Sequence, residues 1–285
     1  LLARIELTAE RAGEPAPTVF IGRGDPMRSS SPFGLMAQAI RNAAGVTGEQ
    51  TREERRGALA AFVGARIAGE EGARVAAFLG EMAGIAMDPE EGGSLLEQLR
   101  AARQDAMLMG DQIRHALEAL VVAECARRPL ILVLEDLHWG DLPTVKLVDA
   151  ALRRAASLPF FVIAFARPEI EAAFPRLWEE RQVVELRLGE LPRKAAEKLA
   201  RAVLGASADD AKIAAIVEQS AGNAFFLEEL IRAVASGREG TLPGSVLAMA
   251  QARLTELDPK GRRILRAASV FGQTFSSEGV TALLG

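Results

Sequence analysis

The chain contains an unbroken aliphatic run, Leu130–Leu134, that leads directly into two acids, Glu135 and Asp136. Five consecutive aliphatic residues suit a strand with both faces buried, as in the parallel sheet of an α/β protein. Ligands of such sheets bind at the carboxyl ends of the strands. Carboxylates at that position commonly hold Mg²⁺ and order water beside a nucleotide phosphate. The competing interpretation is that the two acids only begin a solvated turn, ahead of a helix that follows Asp141.

Three further segments have the composition of strands. Residues Thr18–Ile21 predict a short buried strand, Phe160–Phe165 predicts another, and the alternating segment Val183–Leu188 predicts a last or edge strand. The amphipathic segment Thr144–Ala155 predicts a helix between two of them. A strand, a helix and a strand at this spacing indicate a right-handed βαβ unit and therefore a parallel sheet.

Helical patterns occupy most of the remaining chain. Ser31 and Pro32 have the residue types of a helix N-cap and first turn, which predicts a helix through Asn42. Residues 45–110 predict short helices inserted between strands, with a poorly ordered region as the alternative, and 111–127 predict a stronger helix. Beyond Leu191-Pro192 no strand pattern recurs, and the segments with helical periodicity are 195–204, 210–220, 226–234, 246–257 and 264–268.

The composition is that of an ordinary globular protein, with 49% hydrophobic and 25% charged residues. A net charge of −4 argues against a surface that coats nucleic acid. The single cysteine, Cys125, cannot form an internal disulfide, and its apolar surroundings predict a buried thiol. No segment has the eighteen or so apolar residues that a membrane helix needs. We therefore expect a cytoplasmic protein.

The string LILVLEDLHWGD, residues 130–141, resembles the Walker B strand of the STAND class of P-loop ATPases. Three other segments resemble parts of that family in the same order along the chain. They are Gly22–Met27, similar to the segment after the family's second strand; Phe160–Glu169, similar to the strand that ends in the sensor arginine; and Gly222–Leu230, similar to the GNP-FF-x-E-L segment of the helical lid. Together they span most of the chain.

The resemblance implies a role for five residues. It implies that Glu135 and Asp136 hold Mg²⁺ and activate the attacking water, with the division between metal ligand and base left open. It implies that Arg167 senses the γ-phosphate of ATP, although a surface ion pair with Glu169 is the alternative. Gly222 and Asn223 would face the nucleotide from a helix N-terminus, or Asn223 would simply cap that helix. ATP and Mg²⁺ are the cofactors that follow.

The family's organisation implies three domains. Residues 1–190 would be a P-loop ATPase core of α/β class, 191–240 an all-α lid, and 241–285 the start of a winged-helix domain. The intact protein would be a signal-transduction switch whose partners are ATP, ADP and further domains of the same chain, with nucleotide-dependent self-association as an added expectation. The rival interpretation is a DNA-binding transcription regulator in which this region is a non-catalytic scaffold.

The chain departs from the family at its most diagnostic motif. A P-loop requires G-x-x-x-x-G-K-[ST], and no Gly-Lys pair occurs in the 285 residues. We expect a fragment that begins just past its phosphate loop and lacks the first core strand, which would leave strand Phe160–Phe165 without one neighbour. A degenerate ATPase that lost the loop is the alternative. A second departure is Ala224, which stands where the family has proline.

Two other residue groups have competing interpretations. His138 and Trp139 follow Glu135 at a spacing that matches half of a di-iron motif, but packing beside the acids is the better explanation because a second copy is absent. Basic residues near the C-terminus could contact DNA, but interleaved acids favour a solvated face. These residues are Arg253, Lys260, Arg262, Arg263 and Arg266.

Overall fold

A computed structural model of the chain describes most of its residues and divides them into two compact units. The described residues are 2–26, 31–86, 93–205, 209–236, 251, 254, 257–271 and 275–285. The first unit comprises residues 1–183 and 272–276, and the second comprises 184–271 and 277–285. The domain boundaries expected after residues 190 and 240 stay predictions.

The first unit contains a three-stranded parallel sheet. Its strands are β1 (Thr18–Arg23), β2 (Leu130–Glu135) and β3 (Phe160–Ala164), in the order β1-β2-β3. All five aliphatic residues of β2 are buried, as its sequence predicts, because β2 lies between two strands and is covered on both faces. The structure thus confirms an α/β fold with a small parallel sheet.

Helices make up most of the rest of the first unit. α2 packs on β1 and α6 on β2, and α4 and α7 pack on α6. No helix in the described part of the chain is long and apolar enough to cross a membrane. The helices of this unit are α1 (Leu2–Ala12), α2 (Gly34–Ala43), α3 (Arg52–Gly64), α4 (Gly69–Ala83), α5 (Ser94–Gln104), α6 (Ala106–Cys125), α7 (Leu142–Arg154) and α8 (Ile170–Ala173).

Local sequence signals explain where several of these helices begin and end. Thr51 and Glu54 form a capping box at the start of α3, in which each side chain accepts the other residue's backbone N–H. Asp105 caps α6 by accepting a 2.8 Å hydrogen bond from the Met107 amide. Gly84 ends α4 at φ 71°, a left-handed conformation that glycine adopts without strain. The inserted helices predicted between residues 45 and 110 are therefore confirmed as α3, α4 and α5.

The strand predicted at Val183–Leu188 is wrong. Residues 182–192 are in no regular element, and none of them pairs with a strand in the described part of the chain. An alternating sequence forms a strand only where a sheet edge offers hydrogen-bonding partners. Without such a partner its apolar side chains stay exposed, and those of Val184, Leu186 and Leu188 are the most exposed.

β3 forms one edge of the described sheet. Its only strand partner among the described residues is β2, and the Phe161 side chain is 62% exposed. The expectation that strand Phe160–Phe165 lacks a neighbour from a missing core strand stays a prediction. An apolar edge strand with free backbone groups is a surface on which another strand can pair.

The start of α2 differs from its predicted position. The sequence predicts that Ser31 and Pro32 open this helix, but α2 begins at Gly34. Phe33 precedes it at φ 60°, an unusual backbone conformation for a bulky residue. In this conformation the Phe33 amide donates a 2.8 Å hydrogen bond to the distant Asp141 carboxylate.

Cys125 is a buried thiol at the end of α6, as predicted. Burial raises the pKa of the Cys125 thiol, and the adjacent Glu124 carboxylate raises it further. Both effects oppose formation of the reactive thiolate. Its role is packing in the core.

The second unit is helical in its described part. Three helices, α9 (Arg193–Leu204), α10 (Asp210–Ser220) and α11 (Ala224–Ala235), share an apolar core, which confirms the three helices predicted after Pro192. α12 (Pro259–Ala268) packs on α13 (Ser277–Leu284). The basic side chains of α12 are exposed. Residues 237–244, most of the predicted helix 246–257, and Arg253 lie outside the described residues.

Candidate functional site

The two acids singled out from the sequence lie at the carboxyl end of the central strand. Glu135 is the last residue of β2, and Asp136 follows it at φ 52°. Aspartate tolerates this left-handed conformation better than most residues, and such outliers often occur at functional sites. Among the described residues, none donates a hydrogen bond to the Asp136 carboxylate. It is therefore free to bind a cation.

The end of β1 approaches Asp136 so closely that only glycine fits there. A Cβ atom on Gly24 would overlap the Asp136 carbonyl oxygen, and one on Gly22 would overlap the Leu35 carbonyl oxygen. The Gly24 amide donates a 2.7 Å hydrogen bond to the Glu135 carbonyl, which continues the sheet past the last paired residues. The two glycines of the Gly-x-Gly sequence therefore allow the backbones to approach closely at the strand ends.

Arg23 is an unexpected partner of Glu135. The two residues are register neighbours on β1 and β2, so their side chains lie on the same face of the sheet. Arg23 Nε donates a 2.7 Å hydrogen bond to Glu135 Oε2, and a second guanidinium nitrogen reaches the same oxygen. The Glu135 side chain is 33% exposed, so this pair is accessible to solvent and to ligands. Glu135 is thus neutralised by a cation in this structure.

Arg167 lies beside the turn that carries the acids. It comes three residues after β3, and its amide donates a 3.3 Å hydrogen bond to Nδ1 of His138. Its exposed guanidinium carbon lies 5.5 Å from the centre of the Trp139 ring. The alternative ion pair between Arg167 and Glu169 does not occur among the described residues. The structure therefore brings Arg167 to the same edge of the sheet as Glu135 and Asp136.

His138 and Trp139 form the turn between the acids and α7. The His138 ring contacts Trp139 with ring centres 4.6 Å apart, and the buried Leu137 side chain anchors the turn. Hydrogen bonds of 2.9 Å from the Leu137 amide to the Phe165 carbonyl, and from the Trp139 amide to the Asp136 carbonyl, fix its backbone. Packing beside the acids, the interpretation favoured from the sequence, is what these contacts describe.

The Asp141 side chain links α7 to the start of α2 through hydrogen bonds. The carboxylate is only 8% exposed. Its Oδ1 accepts hydrogen bonds from the Thr144 amide at 2.7 Å and the Phe33 amide at 2.8 Å, and its Oδ2 accepts one from Thr144 Oγ1 at 2.8 Å. Asp141 therefore caps α7 and also accepts a hydrogen bond from Phe33, the residue that precedes α2. These three hydrogen bonds give Asp141 a structural role at this turn.

Gly222 and Asn223 belong to the second unit. Gly222 has φ 76° and its carbonyl accepts a 2.8 Å hydrogen bond from the Leu191 amide. The Asn223 side chain accepts a 2.9 Å hydrogen bond from the Phe226 amide, which makes it the N-cap of α11. Both residues line a cavity of about 820 Å³ together with residues 187–192. Phe226 packs in the core of the second unit, whereas Phe225 is 55% exposed.

The donor set at the strand ends suits Mg²⁺ better than a metal held by protein alone. Among the described residues, no group of three or more His, Cys, Asp or Glu side chains could hold a metal ion. Mg²⁺ typically takes one or two carboxylates and completes its octahedron with water and substrate phosphates. The free Asp136 carboxylate and the remaining oxygen of Glu135 meet that requirement.

Sequence reasoning missed two residues of this site, Arg23 and the full role of Asp141. Arg23 stands opposite Glu135 only when the register of β1 and β2 is known, and no local pattern specifies that register. For Asp141 a signal exists, because Asp followed by Leu142 and Pro143 is a typical N-cap and first turn. Its second bond, to Phe33, joins residues 108 positions apart and has no local signal.

Comparison of the chain with models of protein families, with curated proteins and with solved structures found no match.

Proposed function

We propose that this chain is part of an ATP-binding and ATP-hydrolysing switch of the STAND type. The observation that carries the proposal is the free Asp136 carboxylate beside Glu135 at the carboxyl end of the central parallel strand. Arg167, which follows the neighbouring strand, adds a permanent positive charge at the same edge. Carboxylates for a metal and a guanidinium for a phosphate are the groups that phosphoryl transfer to water requires.

The residues divide the chemistry between them in the proposed reaction. Asp136 and Glu135 would hold Mg²⁺, which when bound neutralises charge on the phosphate oxygens. One of the two carboxylates orients the attacking water and accepts its proton. Arg167 would bind an oxygen of the terminal phosphate. Its guanidinium is available for this role because it has no acidic partner among the described residues. No G-x-x-x-x-G-K-[ST] motif occurs in the 285 residues, so turnover is tested on the natural full-length protein.

A switch function follows if the nucleotide state changes the domains that come after this site. Asn223 caps α11, so the N-terminus of that helix is ordered and carries a partial positive charge. The helical segment and the winged-helix-like end would transmit the difference between ATP and ADP to further domains of the same chain, or to a second copy.

The contact between Arg23 and Glu135 favours a second candidate, a scaffold without catalysis inside a DNA-binding regulator. The Arg23 guanidinium occupies one oxygen of Glu135, so it competes with metal binding and with water activation at that carboxylate. An active enzyme has to release Glu135 when nucleotide binds, whereas a scaffold can keep the pair permanently. Turnover measurements on the full-length protein separate the two candidates.

We expect Asp136→Asn and Glu135→Gln each to lower ATP turnover by about a hundredfold or more in the full-length protein, since each amide keeps the shape but loses the charge. Steady-state phosphate release measures this effect. Glu53→Gln, an exposed change in the first turn of α3, is the matched control and should leave turnover unchanged. If both site variants have the same turnover as the control, the two acids only begin a solvated turn. That result would support the non-catalytic scaffold.

We expect Arg167→Ala to weaken ATP binding about 10- to 100-fold while changing ADP binding little. The γ-phosphate exists only in ATP, and a hydrogen bond to a charged group contributes about 1.5–3 kcal/mol. Titration calorimetry with both nucleotides measures the difference, and Arg154→Ala at the end of α7 is the control. Equal losses for ATP and ADP would contradict the sensing role.

A further inference from the structure

Arg167 is held by two different contacts with one short turn. Its backbone amide is bonded to His138 Nδ1 at 3.3 Å, and its guanidinium carbon lies 5.5 Å from the centre of the Trp139 ring. The first contact fixes the main chain at the end of β3, and the second fixes the charged group. An arginine within about 6 Å of an indole face makes a cation–π interaction.

Trp139 has a fixed position relative to the acids. Its amide donates to the Asp136 carbonyl, and its Cβ lies against the backbone of Gly24, where an added Cβ would be only 3.2 Å away. Its ring is half-buried and lines a small cleft of about 40 Å³ that Arg23, Gln38 and Asp141 also line. The indole is therefore a rigid surface between the acids and Arg167.

We propose that Trp139 is the resting position of the Arg167 guanidinium and that a phosphate ligand binds Arg167 by drawing it off this ring. The proposal rests on the proposed function for its ligand, the terminal phosphate of Mg-ATP, but the resting contact stands on the geometry alone. A cation–π contact at an exposed site shifts an equilibrium about two- to fivefold. A charge-assisted hydrogen bond to phosphate is stronger than this cation–π contact, so the phosphate displaces the guanidinium from the ring.

Trp139 thus acts through Arg167 as a positioning residue. Without ligand, it holds the Arg167 guanidinium at the indole ring. A phosphate must therefore bind the guanidinium more strongly than the ring does. His138 limits the movement to the side chain, because it keeps the Arg167 amide in place.

The two tryptophans of the chain make the resting contact observable. Each indole N–H gives one signal in a ¹H–¹⁵N spectrum, and Trp178 is an internal reference because it is buried and bonded to the Val145 carbonyl at 3.0 Å. Arg167→Ala should shift the Trp139 signal and leave the Trp178 signal in place. Arg154→Ala should shift neither, since it lies at the far end of the 13-residue helix α7, about 20 Å away. An unmoved Trp139 signal in Arg167→Ala would overturn the resting contact.

Binding of Mg-ATP to the full-length protein tests the competition. Trp139→Leu should tighten binding about two- to fivefold, because Arg167 no longer has to leave the ring. Trp139→Phe, which keeps an aromatic face, should lie between the leucine variant and the natural protein. In an Arg167→Ala background, Trp139→Leu should change binding no further. The same change in both backgrounds would show a merely structural role and refute the proposal.

The two experiments also separate failure of this inference from failure of the proposed function. If the full-length protein binds no Mg-ATP by calorimetry, the proposed function and the competition both fall, while the indole spectrum still decides the resting contact. If Mg-ATP binds and the Trp139 signal stays where it is in the free protein, the function survives and the release of Arg167 from Trp139 is refuted.

Discussion

Replacing Glu124 with alanine is expected to lower the free energy of unfolding by about 3–5 kcal/mol. Glu124 lies near the end of α6 and is only 1% exposed. Its two carboxylate oxygens accept separate hydrogen bonds, one from the Thr18 hydroxyl and one from Arg66 Nε. Removal of the carboxylate would leave the mostly buried Arg66 guanidinium without its counter-charge, which is the costly outcome for a buried ion pair.

Chemical denaturation of the Glu124→Ala variant measures this effect. Glu118→Ala on the same helix is the matched control, because Glu118 makes a helical i,i+4 pair with Arg114, worth only about 0.2–0.5 kcal/mol. The double variant Arg66→Met with Glu124→Leu should recover most of the loss, since apolar pairs often replace buried ion pairs without cost. A loss in Glu124→Ala no larger than in Glu118→Ala would show that the pair contributes little.

This ion pair joins parts of the chain that the sequence presents as separate. Thr18 opens β1, Glu124 precedes β2, and Arg66 lies in the turn between α3 and α4. Arg66 also lies 3.9 Å above the Phe62 ring, which fixes its guanidinium further. The inserted helices are therefore attached to the sheet by a specific polar contact in addition to apolar packing.

The central strand was predictable because its signal is local. Five aliphatic residues in a row between Pro129 and two acids specify a strand buried on both faces, and β2 matches that expectation from Leu130 to Glu135. The same holds for α10, whose observed bounds Asp210–Ser220 are those predicted from its periodicity. A helix or buried strand with a strong hydrophobic pattern can be predicted from its own residues, because its type depends little on the neighbouring elements.

The errors occur where a distant residue or a missing partner decides the local structure. Val183–Leu188 alternates like a strand, yet it pairs with no strand of the described sheet. Arg23 binds Glu135 because two strands happen to align, and only the register reveals this. The position of the acids was predictable, since a buried strand followed by Glu135 and Asp136 places them at the carboxyl end of that strand whatever the details around them.

The start of α2 is a third such case and leads to the last prediction. Asp141→Ala is expected to destabilise the first unit by about 2–4 kcal/mol, combining the loss of the α7 cap, about 1 kcal/mol, with an unsatisfied Phe33 amide, about 1–3 kcal/mol. Asp105→Ala is the matched control, because Asp105 only caps α6 from an exposed position and should cost about 1 kcal/mol.

The same variant should change where α2 begins. Phe33 has φ 60° while its amide is bonded to Asp141, and without that bond the first turn can move to Ser31 and Pro32, where the sequence alone places it. The three-bond HN–Hα coupling of Phe33 measured by NMR should then fall to the value of a right-handed helix. The Phe33 amide should also lose its protection from exchange, because the first amides of a helix have no intrahelical acceptor. Asp141→Asn keeps an acceptor oxygen and should preserve the natural start. An unchanged Phe33 coupling in Asp141→Ala would mean that packing of the Phe33 ring, and not the carboxylate, determines where α2 begins.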